Sequence, residues 1–272
     1  MSAHLTSLKQ EGKSLGFVPT MGALHEGHLS LIRLSKQTAD VTICSIFVNP
    51  TQFNDPEDLK KYPVTTDNDT TLLISENTDI LFLPTVEQIY PHDAPQKSYA
   101  LGSIETVLEG AHRPGHFQGV AQVIDRLLSI ITPDFLIMGQ KDFQQIMVVQ
   151  KLLELTGSQV QLISSPTLRE ATGLAKSSRN TRLSDSDMQA ATTIYQSLQL
   201  GRSLLPTHAI SSIQKQISTQ LLENGFTSID YVAICHPNNL SAIEKYTVGE
   251  PVVILIAAFI GGVRLIDNLL ID

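Results

Sequence analysis

Five short apolar runs, almost free of polar interruptions, punctuate the chain up to Pro166. They are LGFVPT (Leu15–Thr20), VTICSIFVN (Val41–Asn49), DILFLPT (Asp79–Thr85), DFLIMG (Asp134–Gly139) and VQLISSP (Val160–Pro166). A strand with one wet face alternates apolar and polar residues, whereas a near-continuous apolar run suits a parallel strand covered on both faces. Helix-length patterns separate these runs, at Leu29–Thr38, Thr66–Glu76, Phe117–Ile131 and Phe143–Thr156. Strand and helix in alternation mark βαβ units. The expected fold is therefore α/β, with a doubly wound, Rossmann-like parallel sheet.

The pattern changes after REATGLAKSSRN (Arg169–Asn180). Two helical stretches follow, Asp185–Leu204 and Ile210–Asn224, and then the strand-like SIDYVAICHP (Ser228–Pro237) and VVILIAAFIGGV (Val252–Val263). Helices followed by strands imply a smaller C-terminal α+β domain. The expected division is 1–170 and 171–272. The Val252–Val263 run is too short to span a bilayer and reads as a buried strand with a Gly-Gly turn. The opening MSAHLTSLKQEGK lacks the apolar core of a signal peptide, so the expectation is a cytoplasmic protein without a membrane partner. Cys44 and Cys235 sit far apart in apolar stretches and read as reduced, buried thiols. A formal charge of −8 argues against a nucleic-acid partner, which calls for a basic surface.

Five stretches carry chemistry. VPTMGALHEGHLSLI (Val18–Ile32) runs from a strand through a Gly-containing loop into a helix, an arrangement that presents unpaired N–H groups and partial positive charge to phosphate. His25 and His28 stand at its mouth as donors; with only Glu26 between them, they are short of ligands for a metal site. GLAKSSRN (Gly173–Asn180) concentrates Lys176, Ser177, Ser178 and Arg179, the groups that neutralise a triphosphate, at the expected domain junction. A mobile loop there would close over a nucleotide and exclude water. DFLIMGQKDFQQ (Asp134–Gln145) places Gly139, Lys141, Asp142 and Gln145 beyond a strand end, where open α/β sheets bind ligands. Lys141 suits phosphate, Asp142 suits a ribose, Lys141 itself or a helix cap, and Gln145 suits a small polar substrate. SIFVNPTQFN (Ser45–Asn54) ends a strand in Asn49 and Gln52, which read as turn formers or as amides that discriminate hydroxyls. EGAHRPGHFQGVAQVI (Glu109–Ile124), with Arg113 and His116, reads as a substrate loop, a lid or a plain turn.

The first stretch resembles the HxGH signature of the nucleotidylyltransferase superfamily, and the second resembles the KMSKS-type loop that accompanies it. With VPTMGALHEGH, SIFVNPTQF, EGAHRPGHFQGV, GQKDFQQ, GLAKSSRN and RLIDN (Arg264–Asn268) in order, the chain resembles the pantoate–β-alanine ligase family. That resemblance implies an AMP-forming ligase, using ATP with Mg²⁺, that condenses (R)-pantoate with β-alanine through an enzyme-bound pantoyl adenylate. It implies His28 as the catalytic histidine with His25 as its partner, and Lys141 and Arg179 neutralising the phosphates. It places ATP against Met21, Gly22, Ala23, Leu24, His25, Glu26, Gly27 and His28. Gly139, Gln140, Lys141, Asp142, Leu168, Lys176, Ser177, Ser178 and Arg179 complete that set. Gln52 and Gln145 would bind pantoate, and Gln52 and Asn49 would border β-alanine. The family is typically homodimeric. The chain departs from the family pattern at Gln140 (for Glu), Thr172 (for Asp), Val64 (for Arg) and Lys176, which stands in a slot often apolar. A nucleotidylyltransferase acting on a phosphate ester is the competing reading. It would want Arg or Lys where Gln52 and Gln145 stand.

Overall fold

β1 (Leu15–Thr20) is buried along nearly its whole length and pairs in parallel with two neighbours at once, β2 (Val41–Ile46) and β4 (Phe135–Gly139). β3 (Ile80–Phe82) pairs with β2, and β5 (Gln161–Ser165) with β4, both in parallel. The order is β3-β2-β1-β4-β5. The computed structural model describes residues 1–54, 56–92 and 97–272. Successive residues in the central strands serve opposite faces, as a pleat requires. Phe17, Ile43, Leu136 and Met138 join one core, with Phe117, Val120, Ile124 and Leu127 of the His116–Ile131 helix. Val18, Cys44, Ile46 and Ile137 join the other, with Leu31 and Ile32 of the Glu26–Thr38 helix and Leu73 of the Thr66–Ser75 helix. Both faces of the central strands are covered, so β1, β2 and β4 are mostly apolar, while the edge strand β5 (Gln161–Ser165) is polar and partly exposed.

The strand order reverses between β1 and β4, the position at which open α/β sheets bind ligands beyond the strand C-termini. The segments leaving β1 and β4 are Met21–His28 and the turn at Gly139. β2 is shorter than its apolar run, because Asn49 caps a 3₁₀ turn, Pro50–Gln52, instead of extending the strand. β3 is likewise shorter, with Pro84 unable to donate to a ladder.

The chain divides into two compact units. The first holds Met1–Gln140 and Gln144–Pro166; the second holds Lys141–Phe143 and Thr167–Asp272. In the second, β6 (Ser228–Cys235), β7 (Val252–Ile260) and β8 (Val263–Ile271) form an antiparallel meander. Gly261 and Gly262, both at positive φ, make the two-residue turn between β7 and β8. Ile213, Ile217 and Leu221 of the Ile210–Glu223 helix and Ile194 and Leu198 of the Thr193–Leu204 helix share one core with β7. The helix expected over Asp185–Leu204 is two helices, Asp185–Ala191 and Thr193–Leu204. The break falls at Thr192, whose hydroxyl bonds the Gln189 carbonyl at 2.7 Å and competes with the helical ladder. Cys44 and Cys235 are buried and free. Among the described residues no helix is long and apolar enough to cross a membrane.

Candidate active site

In the first unit, the Met21–His28 loop is fixed by its own histidines. His25 is the N-cap of the Glu26–Thr38 helix, and its Nδ1 accepts from the Gly27 N–H at 3.1 Å. His28 Nδ1 in turn accepts from the His25 N–H at 3.3 Å, and the two rings lie 4.1 Å apart. An Nδ1 that accepts carries no proton, so each neutral ring bears its hydrogen on Nε2. Both histidines are thus set as Nε2–H donors at a helix N-terminus, where partial positive charge already gathers. Glu26 ion-pairs with Arg33, which also grips Glu76.

A carboxylate from 45 residues downstream holds the same loop. Asp69, fully buried on the Thr66–Ser75 helix, accepts from Ala23 N at 2.9 Å, Leu24 N at 2.8 Å and Thr65 Oγ1 at 3.0 Å. The bonds hold Ala23 at φ +50°, a left-handed conformation costly for a residue with a Cβ. Gly22, at φ +83°, adopts a conformation that strains a residue with a side chain, and a Cβ there would also sit tightly, 3.0 Å from Ile46 and 3.1 Å from Asp69. Thr20 ties the end of β1 to β2 by donating to the Ser45 carbonyl at 2.7 Å. Nothing in the sequence around Asp69 marks it, because its partners are distant in the chain.

An amide cluster follows β2. Asn49 is 1% exposed and saturated: Nδ2 donates to Gln52 Oε1 (3.1 Å) and to the Gly119 carbonyl (3.2 Å), while Oδ1 accepts from Tyr90 (2.9 Å) and Thr51 Oγ1 (3.1 Å). Burial pushes the Tyr90 phenol up, so it stays a donor. With its oxygen claimed by Asn49, Gln52 turns its NH₂ group towards Met21 Sδ at 3.1 Å. That leaves Gln52 oriented as a donor for an oxygen-bearing ligand. From EGAHRPGHFQGV, His116 is buried and its Nδ1–H donates to the Gln52 carbonyl at 2.8 Å, while Arg113 Nη1 lies 3.2 Å from its Nε2. This is the opposite tautomer to that of His25 and His28. Gly119 packs so tightly on the Thr51 carbonyl that a Cβ would overlap it, with Gln52 N only 2.7 Å away. The segment folds as two helices, Glu109–His112 and His116–Ile131, and through His116 and Gly119 it buttresses Gln52.

At the end of β4, a Cβ on Gly139 would meet only Leu31 at 4.0 Å, so packing does not demand glycine there. The glutamine pair beyond it divides its duties. Gln144 is buried and bonds Glu109 N (3.2 Å) and the Ile104 (2.6 Å) and Val107 (2.9 Å) carbonyls. Gln145 is half-buried, and among the described residues nothing hydrogen-bonds its amide.

The second unit carries the cations. Lys141 and Asp142 belong to it rather than to the sheet they follow, and Lys141's carbonyl accepts from Asn268 Nδ2 at 2.9 Å. The Leu168–Lys176 segment is a short antiparallel loop, with Lys176 N bonded to the Leu168 carbonyl at 3.0 Å and Arg169 bridged to Ala175. Ser177 caps the following 3₁₀ turn, Ser178–Arg182, accepting from Arg179 N at 3.2 Å. Asn180 Nδ2 holds the Ala175 carbonyl at 3.0 Å. Lys176 pairs with Glu170 at 2.8 Å, so its charge is partly neutralised by its own loop. Leu168 is 36% exposed, high for a large apolar side chain.

Three comparisons bear on this geometry. The family model described as pantoate-beta-alanine ligase matches residues 1–270. A pantothenate synthetase from Caldicellulosiruptor bescii is 42% identical over 97% of this chain and 94% of its own length. Among solved structures, the pantothenate synthetase of Thermus thermophilus superposes with a TM-score of 0.89 at 36% identity, covering 97% of this chain and 96% of that one. The pantoate-beta-alanine ligase of Francisella tularensis, complexed with beta-gamma ATP and beta-alanine, gives a TM-score of 0.81 at 36% identity, covering 98% and 95%.

Proposed function

The chain belongs to the pantoate–β-alanine ligase family, and from that premise we propose that it makes pantothenate by an adenylation step followed by an amide-forming step. In the first step, a pantoate carboxylate oxygen attacks the α-phosphorus of ATP. The bond to the bridging oxygen breaks, and pyrophosphate leaves. In the second, the β-alanine amine attacks the activated carbonyl, loses a proton, and expels AMP. A carboxylate acylates poorly until AMP is its leaving group, so the order of steps follows from the chemistry.

The observation that carries this reading is the pair of histidines locked as Nε2–H donors at the Glu26–Thr38 helix N-terminus. Donors already aimed at developing charge stabilise a transition state without reorganising, which is a large catalytic term. His28 acts on the α-phosphate and His25 assists. Family membership assigns the Met21–His28 loop, Gly139 and Gln140 to ATP. It assigns Lys141, Asp142, Leu168, Lys176, Ser177, Ser178 and Arg179 to the same ligand, with Lys141 and Arg179 carrying charge for the departing pyrophosphate. Gln52 donates to pantoate, and Gln145 offers a second amide. Asn49, being saturated, serves the β-alanine side by orienting Gln52 rather than by touching the substrate.

Mg²⁺ enters this reading as a companion of the triphosphate, supplying charge neutralisation on its oxygens. Among the described residues no group of three His, Cys, Asp or Glu side chains is set to hold a metal. Mg²⁺ bound with a nucleotide generally keeps several waters and binds through one or two carboxylates plus the phosphates. A homodimer acting in the cytoplasm completes the proposal, on the strength of family membership.

Pantoate-dependent exchange of pyrophosphate into ATP is the test. Exchange that requires pantoate supports the ligase reading; exchange with a phosphate ester instead, or none, refutes it. His28→Ala is expected to lower kcat by roughly 10²–10³-fold while ATP still binds.

A further inference from the structure

RLIDN, the late element of the sequence, has no part in the chemistry above. Its last two residues are nonetheless among the most buried polar groups of the second unit. Asp267 is 2% and Asn268 3% exposed, although consecutive strand residues point to opposite faces. Each holds a different piece of the phosphate-handling machinery.

On one face, Asp267 takes both arms of Arg169, at 2.6 and 2.9 Å, and accepts from the Asn268 N–H at 2.8 Å. Arg169 stacks 4.1 Å from the centre of the Tyr195 ring and donates to the Gly173 carbonyl at 3.1 Å. Gly173, at φ +92°, presses against the same ring, and a Cβ there would collide with it. The base of the Gly173–Arg179 loop is therefore clamped between a guanidinium and an aromatic ring. On the other face, Asn268 Nδ2 grips the Lys141 carbonyl at 2.9 Å, while Arg169 also donates to the Asn268 carbonyl at 3.3 Å. A buried ion pair of this kind is weak evidence for stability, since apolar packing often does as well. A bidentate, stacked guanidinium does fix geometry.

We infer that Arg169, Asp267 and Asn268 are positioning residues for adenylation, through which β8 holds the Lys141 segment and the Gly173–Arg179 loop at one fixed spacing. Both cations then meet the same triphosphate as a set. The departing pyrophosphate gathers charge that no single lysine or arginine satisfies, so a change in spacing weakens this step. The amide-forming step involves no pyrophosphate and does not depend on the spacing.

The inference rests on the two-step reading above, and the experiment separates the two. Asn268→Ala and Arg169→Lys are assayed for pantoate-dependent ATP–pyrophosphate exchange and, separately, for pantothenate formation from supplied pantoyl adenylate and β-alanine. Each variant is expected to lose about tenfold in exchange kcat, the scale of a small misplacement of reacting groups, and to keep the second reaction within about twofold of wild type. Arg169→Lys keeps the charge and loses the fork, so the same split in that variant separates geometry from charge. Wild-type exchange in either variant overturns the inference, as does an equal fall in both reactions, the mark of a general folding defect. Failure of the wild-type enzyme to exchange at all overturns the adenylation reading instead.

Discussion

Replacing Asp69 tests whether the histidine loop is held from a distance. Its carboxylate serves three donors: Ala23 N, Leu24 N and the Thr65 hydroxyl. Asp69→Asn keeps the size but leaves one oxygen, and its NH₂ group then faces one of the two backbone N–H groups. One charge-assisted bond is lost, worth about 1.5–3 kcal/mol. Asp69→Ala strands the buried Leu24 N–H outright, while water can reach the half-buried Ala23. The expected loss there is roughly 2–4 kcal/mol. Function should suffer beyond stability, because Ala23 at φ +50° has about 1–2 kcal/mol of reason to relax once its N–H is released. Relaxation carries His25 with it, and His25 orients His28. A displacement of about 1 Å costs on the order of 10²-fold in rate. Urea midpoints measure the first effect and saturated ATP–pyrophosphate exchange the second. An Asp69→Asn enzyme with its urea midpoint lowered but exchange kcat within about twofold of wild type would refute the positioning argument and leave Asp69 a stability residue only.

Three further outcomes follow from the same geometry. His116→Ala removes the 2.8 Å bond to the Gln52 carbonyl, so the pantoate KM should rise about five- to tenfold, in line with one lost buried hydrogen bond, with the ATP KM unmoved in steady-state assays. Gly119→Ala forces a Cβ into the Thr51 carbonyl and should cost about 1–3 kcal/mol of stability by thermal melting, with a larger rise in pantoate KM than in ATP KM. Burial pushes the Cys44 thiol up to about 12 and the Cys235 thiol up to about 11, so iodoacetamide at pH 8 should label neither until the protein is unfolded. The sign for stability follows. The unfolded thiols ionise first, so this contribution is intact below about pH 9 and declines above it, by up to about 1.4 kcal/mol per pH unit per thiol. Urea titrations between about pH 8.5 and 10 that show no decline would contradict it.

The βαβ order and the five parallel strands were legible because they are periodic: the apolar runs and helical patterns repeat locally, and burial on both faces leaves its mark on most residues of the central strands. The HxGH loop, the amides after β2 and the basic GLAKSSRN segment were legible because each packs its chemistry into a few neighbouring residues. Tertiary structure decided which member of each group is already spent on protein partners. Asn49 and Gln52 look alike in sequence, yet Asn49 is spent on Tyr90, Thr51, Gln52 and Gly119, and Gln52 is what it aims. Gln144 and Gln145 are adjacent, yet one is a brace to the Ile104–Glu109 segment. Asp69 meets its loop across 45 residues, Arg169 meets Asp267 across 98, and Lys141 meets Asn268 across 127. A hydrogen bond between residues so far apart imposes no period and no local composition, so only the folded chain brings the partners together. The HxGH stretch by itself implied a grip on phosphate; what locks its histidines as donors is the backbone they cap and a carboxylate on another helix.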